Sequence, residues 1–239
     1  MLYNGYVQRS LDNMQYECFD KIAQEWEKND GAFKMLHRMN VMRVEYVIRV
    51  LREIFATSKE LKILDLGCGG GILSVPLAKL GFDVTGVDES ENSIYYAFKL
   101  AEKENVAVNF ICENALTFLN TKCYFDVLLV MESIEHVEEW KVLLQRIKEN
   151  SMAKVVIISS INRTILSYIK TIFLGEYVLN LVPKGTHDWC NYVKPSELID
   201  TMYPLYQLYN VHGTKYDFIK KNWILSSKID SNYIISFIK

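Results

Sequence analysis

Four glycines within five positions, Gly67, Gly69, Gly70 and Gly71, follow the apolar run Leu61–Leu66 and stand between two carboxylates, Asp65 and Asp88. So many glycines let a backbone approach a ligand that any Cβ would hold off. A plain turn between strand and helix needs only one. The spacing differs from a dinucleotide fingerprint, which wants its third glycine where Ile72 stands. Asp65, just before the turn, is an awkward neighbour for a pyrophosphate and a natural one for an ammonium. Asp88 ends the run Phe82–Asp88 about 20 residues on, where an acidic side chain holds a ribose diol. These residues suit a ligand that carries an ammonium and a ribose.

A second cluster follows the apolar run Phe125–Met131: Glu132, Glu135 and His136, two carboxylates and an imidazole within five residues. If the segment is helical, Glu132 and Glu135 share a face, with His136 beside Glu132. By spacing alone two readings stand, the start of a solvated surface helix or a site for a hard divalent cation such as Mg²⁺.

The elements that must position these groups alternate. Strands are expected at 61–66, 82–88, 106–112, 125–131 and 155–159, with helices at 72–80, 91–104 and from Trp140 to Ile147. Pro76 is expected to kink the first of these helices. Continuous apolar strands between helices mean an α/β fold, a doubly wound and mostly parallel sheet with its ligand at the strands' carboxyl ends. Upstream, Phe19, Ile22, Ala23 and Trp26 mark an amphipathic helix over about 13–28, and Val47, Ile48, Leu51, Ile54 and Phe55 mark another. Between them, Gly31–Arg43 reads as a covering loop, with His37 and Arg43 either on the surface or in the cleft. Downstream, residues 163–183 are the most apolar stretch, interrupted by Lys170 and Glu176. They suit either a buried insertion or an element lying in a membrane surface. Strands are expected again at 206–211 and 233–238, with a loop from His212 to Asn222 between them.

The chain has 239 residues and a formal net charge of −2, enough for one α/β domain (cover 1–57, core 61–160, insertion 163–190, C-terminal helix and strands 191–239). No basic block is present, which argues against a nucleic-acid partner. Five scattered cysteines without a Cys-x-x-Cys pair suit a reducing compartment, and no secretory signal is visible, so a cytoplasmic location is expected.

With these residues in view, the chain resembles the ubiquinone-biosynthesis O-methyltransferase family. The resemblance is carried by Phe19 through Trp26, Gly31 through Arg43, Leu64 through Leu73, Val84 through Asp88, Met131 through Val137, Asn162-Arg163 and Val182 through Asp188. The glycine turn is shared by many methyltransferases. Phe-Lys-x-Leu-His-Arg-x-Asn and Val-Pro-Lys-Gly-Thr-His-Asp are the specific segments. The resemblance implies the class I methyltransferase fold, with Asp65, the glycine turn and Asp88 forming an S-adenosylmethionine site, and contacts to that cofactor from Arg43, Gly67, Asp88 and Met131. It also implies an Mg²⁺-type site at Glu132, Glu135 and His136. The chain departs from the family at Glu27, where a second tryptophan is usual, and at 150–153, where Asn-Ser-Met-Ala replaces a Pro-Gly-Gly turn.

The reaction so implied is methyl transfer to a catechol hydroxyl of 3-demethylubiquinol and of a 2-polyprenyl-6-hydroxyphenol-type precursor. The metal, or else His136 or His187 as base, would generate the phenolate. A polyprenylated substrate would place the enzyme peripherally on the inner face of a membrane, with a quinone-synthesis complex as a further partner the resemblance implies. Alternatives are a methyltransferase of another small phenol and a non-catalytic scaffold of such a complex.

Overall fold

The computed structural model describes residue 26 and residues 33–56, 60–168, 189–217, 219 and 222–239. Apart from Trp26, the expected helix over 13–28 lies outside the described residues, as do His187 and positions 169–183 of the apolar stretch.

Helix α1 (Lys34–Ile54) leads into β1 (Lys62–Leu66), α2 (Ser74–Lys79), β2 (Asp83–Asp88), α3 (Glu91–Lys103), β3 (Asn109–Cys112) and α4 (Ala115–Phe118). The chain continues through β4 (Val127–Met131), α5 (Trp140–Asn150), β5 (Val155–Ile161), α6 (Ile165–Ser167), α7 (Pro195–Met202), β6 (Gln207–Asp217), β7 (Asn222–Ser226) and β8 (Asn232–Ile238). The strands form one eight-stranded sheet in the order β3-β2-β1-β4-β5-β8-β6-β7. β1 to β5 pair in parallel, and β8, β6 and β7 close the far side antiparallel.

The order reverses between β1 and β4, and a ligand crevice forms at such a switch point outside the carboxyl ends of the strands. Every residue of β4 and β5 is buried, which explains their unbroken apolar runs. Tyr46, Val47, Val50 and Leu51 of α1 pack on one face with Ile63, Leu129, Ile157 and Ile234. Leu143, Leu144 and Ile147 of α5 and Leu198 of α7 pack on the other with Leu128, Val156 and Ile235. Both faces are covered, as the sequence predicts for a doubly wound sheet.

Three expectations need correction. The described part of Gly31–Arg43 is no loop, because α1 is continuous from Lys34 and carries His37, Asn40 and Arg43. Pro76 does not kink α2, since it lies in the first turn, where no intrahelical N–H is required. The expected loop from His212 to Asn222 is instead strand at 212–217 and at Asn222, within β6 and β7, the two arms of a β-hairpin with Thr214 opposite Leu225 and Tyr216 opposite Trp223.

Candidate cofactor and methyl-transfer site

The glycine turn is built from backbone inward. Gly67 and Cys68 donate their N–H groups to Val87 O at 2.8 and 3.1 Å, which ties the end of β1 to the end of β2. Gly67 has φ +73°, and a Cβ there would lie 2.5 Å from Ser133 Cβ. Ser133 is itself fixed, its hydroxyl donating to Leu66 O at 3.1 Å. Asp88 holds the other side of the turn, accepting from Gly69 N–H at 2.8 Å and from Ser90 N–H at 3.0 Å. The Trp26 indole lies over Gly69 and Gly70, within 2.7 and 2.5 Å of any Cβ added there. It donates from Nε1 to Ser93 Oγ at 3.3 Å and stacks on Phe33 with ring centroids 3.6 Å apart.

The Asp88 carboxylate thus braces the turn at the position where a ribose would be held. Replacing it with alanine is expected to weaken adenosylhomocysteine binding by about 1.5–3 kcal/mol, the scale of a hydrogen bond to a charged group. Titration calorimetry measures this, with circular dichroism to confirm that the fold persists.

Asp65 also has a structural role. It is buried at the end of β1 and accepts from Ser74 Oγ at 2.6 Å, so it fastens α2 to the sheet. Burial pushes its carboxyl up to about 6, against the opposing pull of the Ser74 hydrogen bond and the Arg43 charge. The protonated folded state is favoured, so this stability is complete below about 3.8 and is lost as pH rises through about 6. Asp65→Asn is therefore expected to flatten the melting-temperature profile across that window. Above it, the variant should gain on the order of 3 kcal/mol over the wild type.

Arg43 and Asn40, one turn apart on α1, reach the same crevice. Asn40 Nδ2 donates to Ile72 O at 2.5 Å, a carbonyl that the proline at 76 cannot use. Arg43 Nη2 stands 3.6 Å from Glu132 Oε1, with both side chains largely buried. Yet Arg43 Nε and Nη2 and Asn40 Oδ1 are buried without a hydrogen-bond partner among the described residues. Buried groups of this kind are rare and costly. Two N–H donors on a fixed cation suit a carboxylate, and an amide oxygen suits an ammonium. The amino-acid end of adenosylmethionine has both. His37, by contrast, is turned to the Trp26 carbonyl at 3.1 Å, and burial lowers its pKa.

Met131 ends β4, buried, and leads into Glu132, whose φ is +51°. A non-glycine residue in this region is strained and persists only where its surroundings hold it. Here Glu132 N–H donates to Ser159 O at 3.0 Å. Glu135, 5% exposed, accepts from Ser160 Oγ at 2.9 Å. Burial first, and the Glu132 charge second, push its carboxyl up to about 8. His136 is half-buried at the end of the short 3-10 turn Ile134–His136.

The three candidate metal ligands are neighbours, but they do not form a ligand set in this arrangement. Glu132 lies outside the helical turn and faces Arg43, Glu135 is held by Ser160, and no group of three metal-ligating side chains converges among the described residues. The expectation that Glu132 and Glu135 share one helix face fails because the left-handed residue at 132 precedes the turn. The sequence reading also missed Asn40, Ser74, Ser160 and the indole over the glycines. Only the three-residue spacing of Asn40 and Arg43 signalled any of these, and only once the segment is helical.

Comparison with known proteins agrees with this geometry. A methyltransferase-domain family matches residues 63–150. The ubiquinone biosynthesis O-methyltransferase of Rickettsia felis is 39% identical over 231 residues, covering 95% of this chain and 93% of the relative. The protein of that name from Pelagibacter ubique is 35% identical, covering 96% and 99%. Among solved structures, the magnesium protoporphyrin IX methyltransferase of Synechocystis with bound adenosylmethionine superposes with TM-score 0.66 at 17% identity, over 96% of this chain and 97% of that one. A plantazolicin methyltransferase in complex with adenosylhomocysteine superposes with TM-score 0.61 at 17% identity, over 98% and 99%. At such identities the structures speak for the fold, while the sequence relatives, matched end to end, speak for the family. A class I methyltransferase sheet, a glycine turn braced by Asp88 and relatives of this identity and coverage lead to one conclusion: the chain belongs to the ubiquinone biosynthesis O-methyltransferase family.

Proposed function

We propose that the chain transfers the methyl group of S-adenosylmethionine to a catechol hydroxyl of 3-demethylubiquinol and of a 2-polyprenyl-6-hydroxyphenol-type precursor. The observation that carries the cofactor half is the buried Arg43 guanidinium, unsatisfied at Nε and Nη2, in the crevice beside the glycine turn. The family of the sequence relatives carries the acceptor half.

In this reading Arg43 takes the methionine carboxylate, Asn40 Oδ1 the ammonium and Asp88 the ribose hydroxyls, beside the tight turn that Gly67 makes against Ser133. Met131 and Glu132, at the end of β4, face the sulfonium. The sulfonium is already a strong methylating agent, so most of the rate comes from in-line alignment and exclusion of water. A phenol has an ordinary pKa of about 10 and needs help to ionise near neutrality. His136 is the base of this proposal, beside Glu132 and Glu135 at the end of the strand.

A divalent cation stays within the proposal on the chemistry of two carboxylates and an imidazole. When bound, it would supply Lewis-acid stabilisation of the phenolate. Glu132, Glu135 and His136 would hold it only by giving up Arg43 and Ser160.

Membrane association is the other finer reading. No helix among the described residues is long and apolar enough to cross a membrane. Ile165, 78% exposed, and Leu166 and Tyr168, also exposed, open the apolar stretch and support docking on a lipid surface.

The test is turnover of a short-tailed demethylubiquinol, with and without chelator and liposomes. Adenosylmethionine-dependent product supports the reading, chelator-insensitive turnover removes the cation, and cofactor binding without turnover would favour a scaffold.

A further inference from the structure

The described residues leave five buried side-chain polar atoms without a hydrogen bond, and two of them lie far in sequence from the cofactor residues: Thr214 Oγ1 and Trp223 Nε1. Register and packing show where they point. On β6, His212 meets the ring of Tyr46 of α1 edge-on, with centroids 6.0 Å apart, so the even-numbered residues 212, 214 and 216 face α1. On β7, Leu225 packs in the α1-side core, so Trp223, two residues away, faces the same way. Thr214 stands opposite Leu225, and Trp223 stands opposite Tyr216 with ring centroids 6.0 Å apart.

Height is fixed as well. Arg43 meets Glu132 at the carboxyl end of β4, whereas Phe55, just past the end of α1, lies under Lys154 before β5. The first half of α1 therefore sits at the carboxyl end of the sheet. β6 pairs antiparallel with β8, and β8 with β5, so β6 climbs toward that end too. Thr214 is level with Asn232, which pairs with Ile161, the last residue of β5. The two unsatisfied hairpin groups thus flank the half of α1 that carries Asn40 and Arg43. Thr214 is 7% exposed and so is itself deeply buried.

We propose that the crevice between the first half of α1 and the β6–β7 hairpin receives the aromatic head of the methyl acceptor, with Trp223 Nε1 donating to a ring oxygen and the Thr214 hydroxyl binding a second one. An indole N–H can only donate, so its partner must carry a lone pair, as a phenol, ether or quinol oxygen does. Diagonal neighbours on adjacent strands stand about 7–8 Å apart, a span that accommodates a benzene ring with oxygens on both sides. The crevice therefore favours a catechol bearing further ring oxygens over a bare catechol. A site built to hydrogen-bond an oxygen rejects the analogue lacking it, because its own polar groups are then left unpaired.

This rests on the O-methyltransferase reading above, and the experiment separates the two. Methyl transfer from adenosylmethionine is measured under argon to pyrocatechol and to hydroxyquinol, which is a catechol with one further ring hydroxyl. The enzymes are the wild type, Thr214→Val, which keeps shape and removes only the hydroxyl, and Trp223→Phe, which removes the indole N–H while keeping an aromatic ring. Trp223→Phe is expected to lower kcat/KM for hydroxyquinol roughly 3–10-fold more than for pyrocatechol, mainly through KM, with adenosylhomocysteine affinity unchanged. Thr214→Val should move the same ratio in the same direction, and it carries the test if Trp223→Phe fails to fold. An active wild type whose ratio survives both substitutions overturns the inference and leaves the reading standing. Equal losses on both acceptors, accompanied by a lowered melting temperature, also overturn it, since they assign the two residues to the hairpin's packing. A wild type that binds adenosylhomocysteine yet methylates neither phenol overturns the reading and the inference together.

Discussion

Gly67→Ala is expected to unfold the site, with a loss of about 2–5 kcal/mol and no measurable cofactor binding. Two effects add. The backbone stands at φ +73°, where a side chain costs roughly 1–2 kcal/mol. The new Cβ also falls 2.5 Å from Ser133 Cβ, an atom that cannot swing aside as the tip of a long side chain would. Overpacking of this kind costs about 1–3 kcal/mol. For a chain of this length, a drop of roughly 5–15 °C in melting temperature would follow. Gly81 separates the two contributions, because it has φ +92° with nothing within 4 Å of an added Cβ. Gly81→Ala should show the backbone penalty alone. Adding Ser133→Gly to Gly67→Ala should restore part of the loss, limited by the forfeited Ser133–Leu66 hydrogen bond. Equal melting temperatures for Gly67→Ala and Gly81→Ala would show that the contact with Ser133 is not what demands glycine.

Arg43→Leu carries the second large effect. The substitution removes the cation that pairs with Glu132, and it removes two buried N–H donors that lack a hydrogen-bond partner among the described residues. Loss of one partner from a buried charged pair costs about 2–5 kcal/mol, so adenosylhomocysteine affinity should fall by roughly 1.5 to 3.5 orders of magnitude. Methylthioadenosine, which lacks the amino-acid carboxylate, is the control. Its affinity should be nearly the same for wild type and Arg43→Leu, so the cycle isolates the contact between guanidinium and carboxylate. A parallel loss for both ligands would place Arg43 in the architecture of the site rather than on the ligand.

These two residues also show what the sequence discloses. The glycine turn was legible because positive φ and close approach both select glycine, and the central strands because a sheet covered on both faces writes unbroken apolar runs. Arg43 was marked as a candidate while the element that carries it was misread. Buried Asn40 and Arg43 interrupt the apolar stripe of α1 with polar atoms that no described residue satisfies. Periodicity therefore failed where function overrides packing. The hairpin was missed for a related reason, since Thr214 and Trp223 face α1 with buried polar atoms that make no hydrogen bond. The carboxylates 132 and 135 were found in sequence, but their relation was not, because it depends on one left-handed residue that spacing cannot show.

The most direct test of the account is methyl transfer itself, followed with adenosylmethionine labelled at the sulfonium methyl and a soluble catechol as acceptor. The account predicts that the label appears as an aryl methyl ether, with stoichiometric adenosylhomocysteine, and that Arg43→Leu abolishes both at the same cofactor concentration. Label on carbon or nitrogen, or adenosylhomocysteine binding with no transfer to any catechol or demethylubiquinol, would contradict it.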